Sequence, residues 1–178
     1  MKRMLTILLA AAFCVALFAG VALAAEKPLK IVFVCTGNTC RSPMAEGIAK
    51  KVSGEEDYNF EIISRGTDLD PDELVANLNA RVVMIKRGVK LDGHKSMAMG
   101  AEEARDADLI LTMTDGHRKN VLKLFPDAES RTFTLIEYVT GKPGNISDPW
   151  GMNLDEYEKT ASQLDKLIPA ALAKFADR

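Results

Sequence analysis

Basic charge is not in excess in this chain: 23 Lys and Arg stand against 25 Asp and Glu, a net charge of −2 at pH 7. That balance argues against a nucleic-acid binder, whose footprint is basic. Histidine and cysteine are scarce, at two and three residues. Cys35, Cys40, His94 and His117 fall at no spacing typical of zinc ligands, so neither a metal nor a cofactor is expected. The sequence has no internal repeat and no low-complexity block. What is present, 178 residues of which 47% are hydrophobic and 27% charged, suits one domain large enough to bury its own core.

The long apolar run is confined to the first 25 residues. Lys2 and Arg3 precede an uncharged stretch from Leu5 to Ala25 that contains Ala22-Leu23-Ala24 near its end. A charged start, an apolar middle and a small-residue exit are the pattern of a cleaved secretory signal. It predicts a signal over residues 1–24, a domain over 25–178, and export to the periplasm or beyond the cell. An uncleaved anchor is the alternative, because 21 uncharged residues could cross a bilayer of about 30 Å. Membrane contact is expected only if the segment is retained. Phe13 ahead of Cys14 does not suit lipidation. Removing the signal takes Lys and Arg from 23 to 21 and the net charge to −4. Two cysteines then remain, Cys35 and Cys40, which leaves open a disulfide between them acting as a redox switch.

The stretch that organises the rest runs from Leu29 to Pro43. Ile31 to Val34 is a short, β-branched run of the kind that forms a fully buried strand. Ser42-Pro43 reads as a helix start, with a capping hydroxyl and a proline at the first helical position. The seven residues between read as a phosphate cradle. A loop from a strand's C-terminal end into a helix N-terminus points backbone N–H groups into one concavity, and the helix dipole adds positive potential there. Cys35 at its start lies beneath the anion, and the planar guanidinium of Arg41 at its end can grip two anion oxygens. The same field favours the nucleophilic thiolate. Gly37 and Asn38 are residue types that tolerate a positive φ.

The full string Val34-Cys35-Thr36-Gly37-Asn38-Thr39-Cys40-Arg41-Ser42-Pro43-Met44-Ala45-Glu46 resembles the signature of the low-molecular-weight protein-tyrosine-phosphatase family, whose phosphate loop is C-x5-R followed by Ser. The resemblance implies that Thr36, Gly37, Asn38, Thr39 and Cys40 bind the phosphoryl group. It also implies that Ser42 hydrogen-bonds the sulfur and stabilises it as thiolate. Asp148-Pro149-Trp150 is similar to the family's second signature, with Asp148 as general acid and Trp150 walling the pocket. Val89 to Ser96 resembles the segment that carries a buried histidine, which would pair His94 with Asn38; on the residues alone, a surface loop histidine is the alternative. Ser64-Arg65-Gly66-Thr67 is similar to the Ser-Ala-Gly that ends the family's second strand, with Arg65 in the place of Ala; it either brings a cation near the site or faces solvent, and solvent is expected.

Along the chain, a helix is predicted from about Pro43 to Val52 and a strand over Phe60 to Ile63. Leu74, Leu78, Val82 and Ile85 recur at helical spacing and predict a helix packing that stripe on the core. Ala107 to Met113 reads as the third strand, entering a helix near Asp115 that ends around Phe125-Pro126. His117-Arg118-Lys119 places cations at the wrong end of that helix for its dipole; it either faces an acidic or phosphorylated partner or is a solvated patch, and is read as the patch. Arg131 to Leu135 is the fourth strand, Ile136 to Ser147 a long loop, and Leu154 to Phe175 a closing helix that Pro169 could kink. Alternation of four strands with about five helices predicts a single α/β domain: an open four-stranded parallel sheet with helices on both faces, phosphotyrosine protein phosphatase I-like by resemblance. Ligands of such sheets bind beyond the strands' carboxyl ends.

The expected chemistry is cysteine-dependent dephosphorylation of a phosphorylated protein in two steps, with Cys35 as nucleophile, Arg41 as anion clamp and Asp148 as acid and then base. Thr39, Pro43 to Glu46 and Glu137 to Gly141 look closer to the bacterial protein-arginine-phosphatase branch, in which the loop threonine favours a phosphoguanidine. Trp150, where that branch more usually has Phe, is a departure, and so is the export signal. Phosphotyrosine is the competing substrate. Two other classes are weighed. An arsenate reductase shares the fold and loop but resembles members with further redox cysteines, and no cysteine follows Cys40. A non-catalytic phosphoprotein-binding module is expected to lack the nucleophile or the acid, and this sequence has both.

Overall fold

In β1 (Leu29–Cys35), five consecutive residues from Ile31 to Cys35 are buried, because the strand is covered on both sides. Alternating side chains therefore enter two different cores. Ile31, Phe33 and Cys35 pack into the larger one, Val32 and Val34 into the smaller. Each such apolar side chain contributes on the order of 1.5–3 kcal/mol of burial. The computed structural model describes residues 26–178; the predicted signal, the anchor alternative and the Phe13-Cys14 pair lie outside the described residues.

β1 pairs in parallel with β2 (Phe60–Gly66) and β3 (Leu109–Thr112), and β3 with β4 (Thr132–Thr134), giving the order β2-β1-β3-β4. The helices are α1 (Arg41–Glu55), α2 (Leu78–Ile85), α3 (Ala101–Asp106), α4 (Asp115–Leu124), α5 (Leu135–Thr140) and α6 (Leu154–Ala176), with a 3₁₀ segment at Pro126–Arg131. Residues of α1, α2, α5 and α6 pack in the larger core, and Ala104 of α3 and Val121 of α4 in the smaller. The predicted open parallel sheet with helices on both faces is the observed architecture. Register aligns Cys35 with Gly66 and Val34 with Thr112, so the carboxyl ends of β1, β2 and β3 meet at one rim. A Cβ at Gly66 would lie 2.5 Å from the Thr36 carbonyl oxygen, so only glycine lets β2 end against the phosphate loop.

Four local expectations are corrected. Ser42 is not the helix cap: α1 begins at Arg41, Cys40 occupies the cap position without a side-chain bond, and Pro43 is the third helical residue. The hydroxyl is taken by the site instead. The stripe Leu74, Leu78, Val82 and Ile85 does not pack on the core; these residues are exposed, and Ala80, Val83 and Met84 are buried. Helix α2 is apolar on two faces, and the face bearing the small Ala80 is the one that fits against the core. Residues 136–147 are not all loop, since α5 occupies their start and closes on Gly141 at φ 70°. Arg65 does not face solvent: its guanidinium pairs with Glu103 at 2.8 Å, with 14% of the side chain exposed. Helix α6 runs unbroken through Pro169.

Candidate functional site

The loop from Cys35 to Arg41 joins β1 to α1, and its shape rests on Asn38. This residue is fully buried at φ 55°, the left-handed conformation that the sequence assigned to Gly37 or Asn38 and that Asn38 alone adopts. Its amide nitrogen donates to Ser42 Oγ and Ser64 Oγ, each at 2.9 Å, and its side-chain oxygen accepts from the Met97 N–H at 3.0 Å. Its carbonyl accepts from Ser96 Oγ at 2.9 Å and lies 2.8 Å from His94 Nε2. His94 thus reaches Asn38 through the backbone, not the side chain. Contacts from α1, β2 and the 94–97 segment over-determine a conformation that would otherwise cost about 1–3 kcal/mol.

Ser42 Oγ lies 3.0 Å from Cys35 Sγ. Ser42 Oγ accepts from the Asn38 amide and lies 3.4 Å from the Arg65 carbonyl, so the hydroxyl beside the sulfur is held by three elements of the site. Cys40 is placed differently. Its sulfur sits 3.4 Å from Tyr157 Oη and 3.5 Å from Thr39 Oγ1, and burial pushes its thiol up from the ordinary range. Both thiols are free.

Arg41 is buried, 5% exposed, and its Nη2 reaches Asp148 Oδ2 at 2.5 Å. Its Nη1 is 3.5 Å from the Ile146 carbonyl, and its Nε is buried with no partner. A buried guanidinium donor left unpaired costs free energy unless a ligand takes it. Asp148 is half-exposed and reaches the site from the loop before α6; its second oxygen accepts from the Trp150 N–H at 3.2 Å. Trp150, 56% exposed, is fixed by an indole N–H donated to Glu73 at 3.0 Å.

A cavity of about 420 Å³ collects these groups, within the range of small-molecule sites. Cys35, Thr36, Gly37 and Thr39 line it, together with Cys40, Arg41, Asp148 and Trp150. Asn38, Ser42 and His94 stand behind the loop and hold it. Asp148 follows Cys35 by 113 positions, and the parallel sheet brings the two to the same rim.

The sequence reading missed His117. It is 6% exposed, not part of a solvated patch, and its Nε2 lies 2.9 Å from Thr36 Oγ1. Thr114 caps α4 by accepting from the His117 N–H at 3.2 Å, which places the ring at the third helical position and turned inward. Desolvation, aided by the Arg41 charge, lowers its pKa to about 4, so the ring is neutral at pH 7. The available signal was its place on the first turn after β3, at the rim where such sheets bind ligands. Arg118 donates to the Thr132 carbonyl at 3.0 Å, and Lys119 pairs with Asp115 at the surface.

The family described as low molecular weight phosphotyrosine protein phosphatase matches residues 30–177. A protein-arginine-phosphatase of Bacillus subtilis (strain 168) is 37% identical over 140 residues, covering 79% of this chain and 92% of that protein. The low molecular weight protein-tyrosine-phosphatase PtpB of Staphylococcus haemolyticus is 39% identical over 140 residues, covering 79% and 95%. Among solved structures, a Cys-to-Ser mutant of the YwlE arginine phosphatase with a phosphorylated active-site serine superposes with a TM-score of 0.79 at 36% identity, over 84% of this chain and 97% of that one.

Proposed function

This chain belongs to the low molecular weight phosphotyrosine protein phosphatase family, and on that premise we propose that it hydrolyses phosphorylated proteins through a phosphocysteine on Cys35, with phosphoarginine as its preferred target. The observation that carries the reaction is one cavity holding the Cys35 sulfur, the buried Arg41 fork with a free Nε, and the Asp148 carboxyl. The Cys35 thiolate attacks phosphorus, the S–P bond forms as the bond to the leaving group breaks, and Asp148 gives its proton to the leaving nitrogen or oxygen. Arg41 and the loop N–H groups hold the non-bridging oxygens throughout. Asp148, now a carboxylate, takes a proton from water as that water attacks phosphorus; inorganic phosphate leaves and the thiolate returns.

Thr39 supports the phosphoarginine preference. Its side chain lines the cavity, where a hydroxyl can accept from a guanidine N–H that an aliphatic side chain could not satisfy. Phosphotyrosine is the second reading, favoured by the Trp150 indole at the mouth, on which a phenyl ring can stack. The export reading stands beside both: residues 1–24 carry the domain out of the cytoplasm, and cell fractionation with an antibody to the domain tests it.

Residues 25–178 contain the whole family match, 30–177, and the 140 residues aligned with the Bacillus subtilis relative cover 92% of it, so this segment is the one assayed. Phosphate release is measured on matched phosphoarginine and phosphotyrosine peptides with reduced protein, alongside Cys35→Ser and Thr39→Ile. Preference for phosphoarginine that Thr39→Ile reverses supports the proposal, whereas wild-type preference for phosphotyrosine returns the chain to the second reading. Turnover by Cys35→Ser comparable to wild type would end the mechanism.

A further inference from the structure

The cavity has a second wall, made by the segment that follows β2. The Thr67 N–H donates to the Cys35 carbonyl at 3.0 Å and the Asp68 N–H to the Thr36 carbonyl at 3.1 Å, which pin this segment against the phosphate loop. Asp68, Asp70 and Glu73 then line the same cavity as Cys35 and Arg41. Asp70 Oδ1 accepts from the Asp72 N–H at 2.9 Å and its carbonyl from the Glu73 N–H at 3.1 Å, so a hydrogen-bonded turn presents the acidic side chains at the mouth. Glu73 is occupied by the Trp150 indole. Among the described residues, none of Asp68, Asp70 and Glu73 has a cationic partner within 4 Å, although twelve ion pairs form between other side chains.

The charges lining the cavity are lopsided for an anion site. Asp68, Asp70, Glu73 and Asp148 face one guanidinium, and Asp148 already occupies one end of it. The buried, unpartnered Arg41 Nε marks where the phosphoryl end of the ligand docks. A phosphoryl dianion on a neutral carrier gains Arg41 and the loop amides but is repelled by the carboxylates at the mouth. A carrier with positive charge next to its phosphoryl group satisfies both ends at once.

We propose that Asp68 and Asp70 form a cation-reading collar that selects phosphorylated substrates carrying positive charge beside the phosphoryl group. This rests on the phosphatase reading of the cavity and adds to it a determinant separate from Thr39. Two sources supply such charge, the guanidinium of phosphoarginine itself and Lys or Arg residues flanking the phosphorylated residue. Glu73 contributes by holding Trp150 in place as the neighbouring wall.

The test measures binding and turnover separately. Cys35→Ala protein, with and without Asp68→Asn and Asp70→Asn, is titrated by fluorescence polarisation with three labelled peptides: phosphotyrosine between alanines, phosphotyrosine between lysines, and phosphoarginine between alanines. Asn keeps the side-chain oxygen that the Asp70 turn uses. The carboxylate pair is expected to favour at least one cationic peptide by about 4- to 25-fold over the neutral one, at about two- to fivefold per exposed ion pair. The double substitution brings that preference to within twofold of unity, and high salt shrinks it as well. A preference for the lysine-flanked peptide alone assigns the cation to the flanks, and for the phosphoarginine peptide alone to the guanidinium. Preferences that stay within twofold of their unsubstituted values overturn the collar. Phosphate release by wild-type protein on the same peptides reports on the phosphatase reading independently, since absent turnover with an intact charge preference refutes that reading and leaves the collar standing.

Discussion

His117 titrates far from its ordinary range because it is buried against Thr36, and this has a measurable consequence for stability. Folding lowers the pKa from 6.5 to about 4, a gap worth about 3 kcal/mol at full effect, or about 2 kcal/mol after allowing for partial solvent access. The sign follows from proton uptake. With the folded value below the unfolded one, the unfolded chain binds the proton first, so the contribution is complete above pH 6.5 and lost as pH falls towards 4. Urea unfolding of wild type and His117→Gln at intervals from pH 7.5 to 4 measures it, because the glutamine does not titrate and the carboxylates common to both proteins cancel. The difference in unfolding free energy between the two proteins is expected to shrink by about 2–3 kcal/mol across that window. The chain has two histidines, so imidazole resonances give an independent reading. Parallel stability curves, or a His117 resonance titrating near 6.5, would refute the reasoning.

Two further substitutions test the architecture. Val83→Ala removes buried side chain from the core face of α2 and is expected to cost about 1–3 kcal/mol, whereas Leu78→Ser on the exposed face costs less than about 0.5 kcal/mol; chemical denaturation of both variants reads the contrast. Asn38→Ala breaks three side-chain hydrogen bonds and puts a β-carbon without local support into a left-handed conformation. It is expected to lower stability by about 3 kcal/mol and to weaken inorganic phosphate binding, measured by calorimetry.

The sheet and the cradle were legible because their signals are local. Ile31 to Val34 is a β-branched apolar run that reads as a strand buried on both sides, and the loop from Cys35 to Arg41 carries nucleophile, positive-φ residue and guanidinium within seven positions. What failed to show needed the third dimension. The stripe Leu74, Leu78, Val82, Ile85 has helical period, but so do Ala80, Val83 and Met84, and only packing decides which face turns inward. Ser42 has the chemistry of a helix cap and is drawn away from it by Cys35 and Asn38. His117 sits in a basic tripeptide that reads as surface, and its inward turn depends on the Thr114 cap and on Thr36, 81 positions away. Arg65 reads as surface until Glu103 of α3 is placed beside it.

The pairing of Asp148 with Arg41 leaves two roles for the carboxyl, and leaving-group chemistry separates them. At 2.5 Å from the guanidinium, Asp148 could act only by orienting the anion clamp, or it could exchange that partner for the incoming phosphoryl group and then protonate the leaving atom. An orienting group matters equally for every substrate, because each needs the same clamp. A proton donor matters in proportion to the basicity of what departs: greatly for a guanidine nitrogen, less for a tyrosine phenolate, and little for an activated nitrophenolate that leaves without help. Asp148→Asn keeps a hydrogen-bonding oxygen for Arg41 and loses the transferable proton. Its kcat/KM is expected to fall by about 10²- to 10⁴-fold on phosphoarginine peptide and by less than about tenfold on a nitrophenyl phosphate. Equal losses on both substrates would reduce Asp148 to a positioning residue and require another group in the cavity to supply the proton.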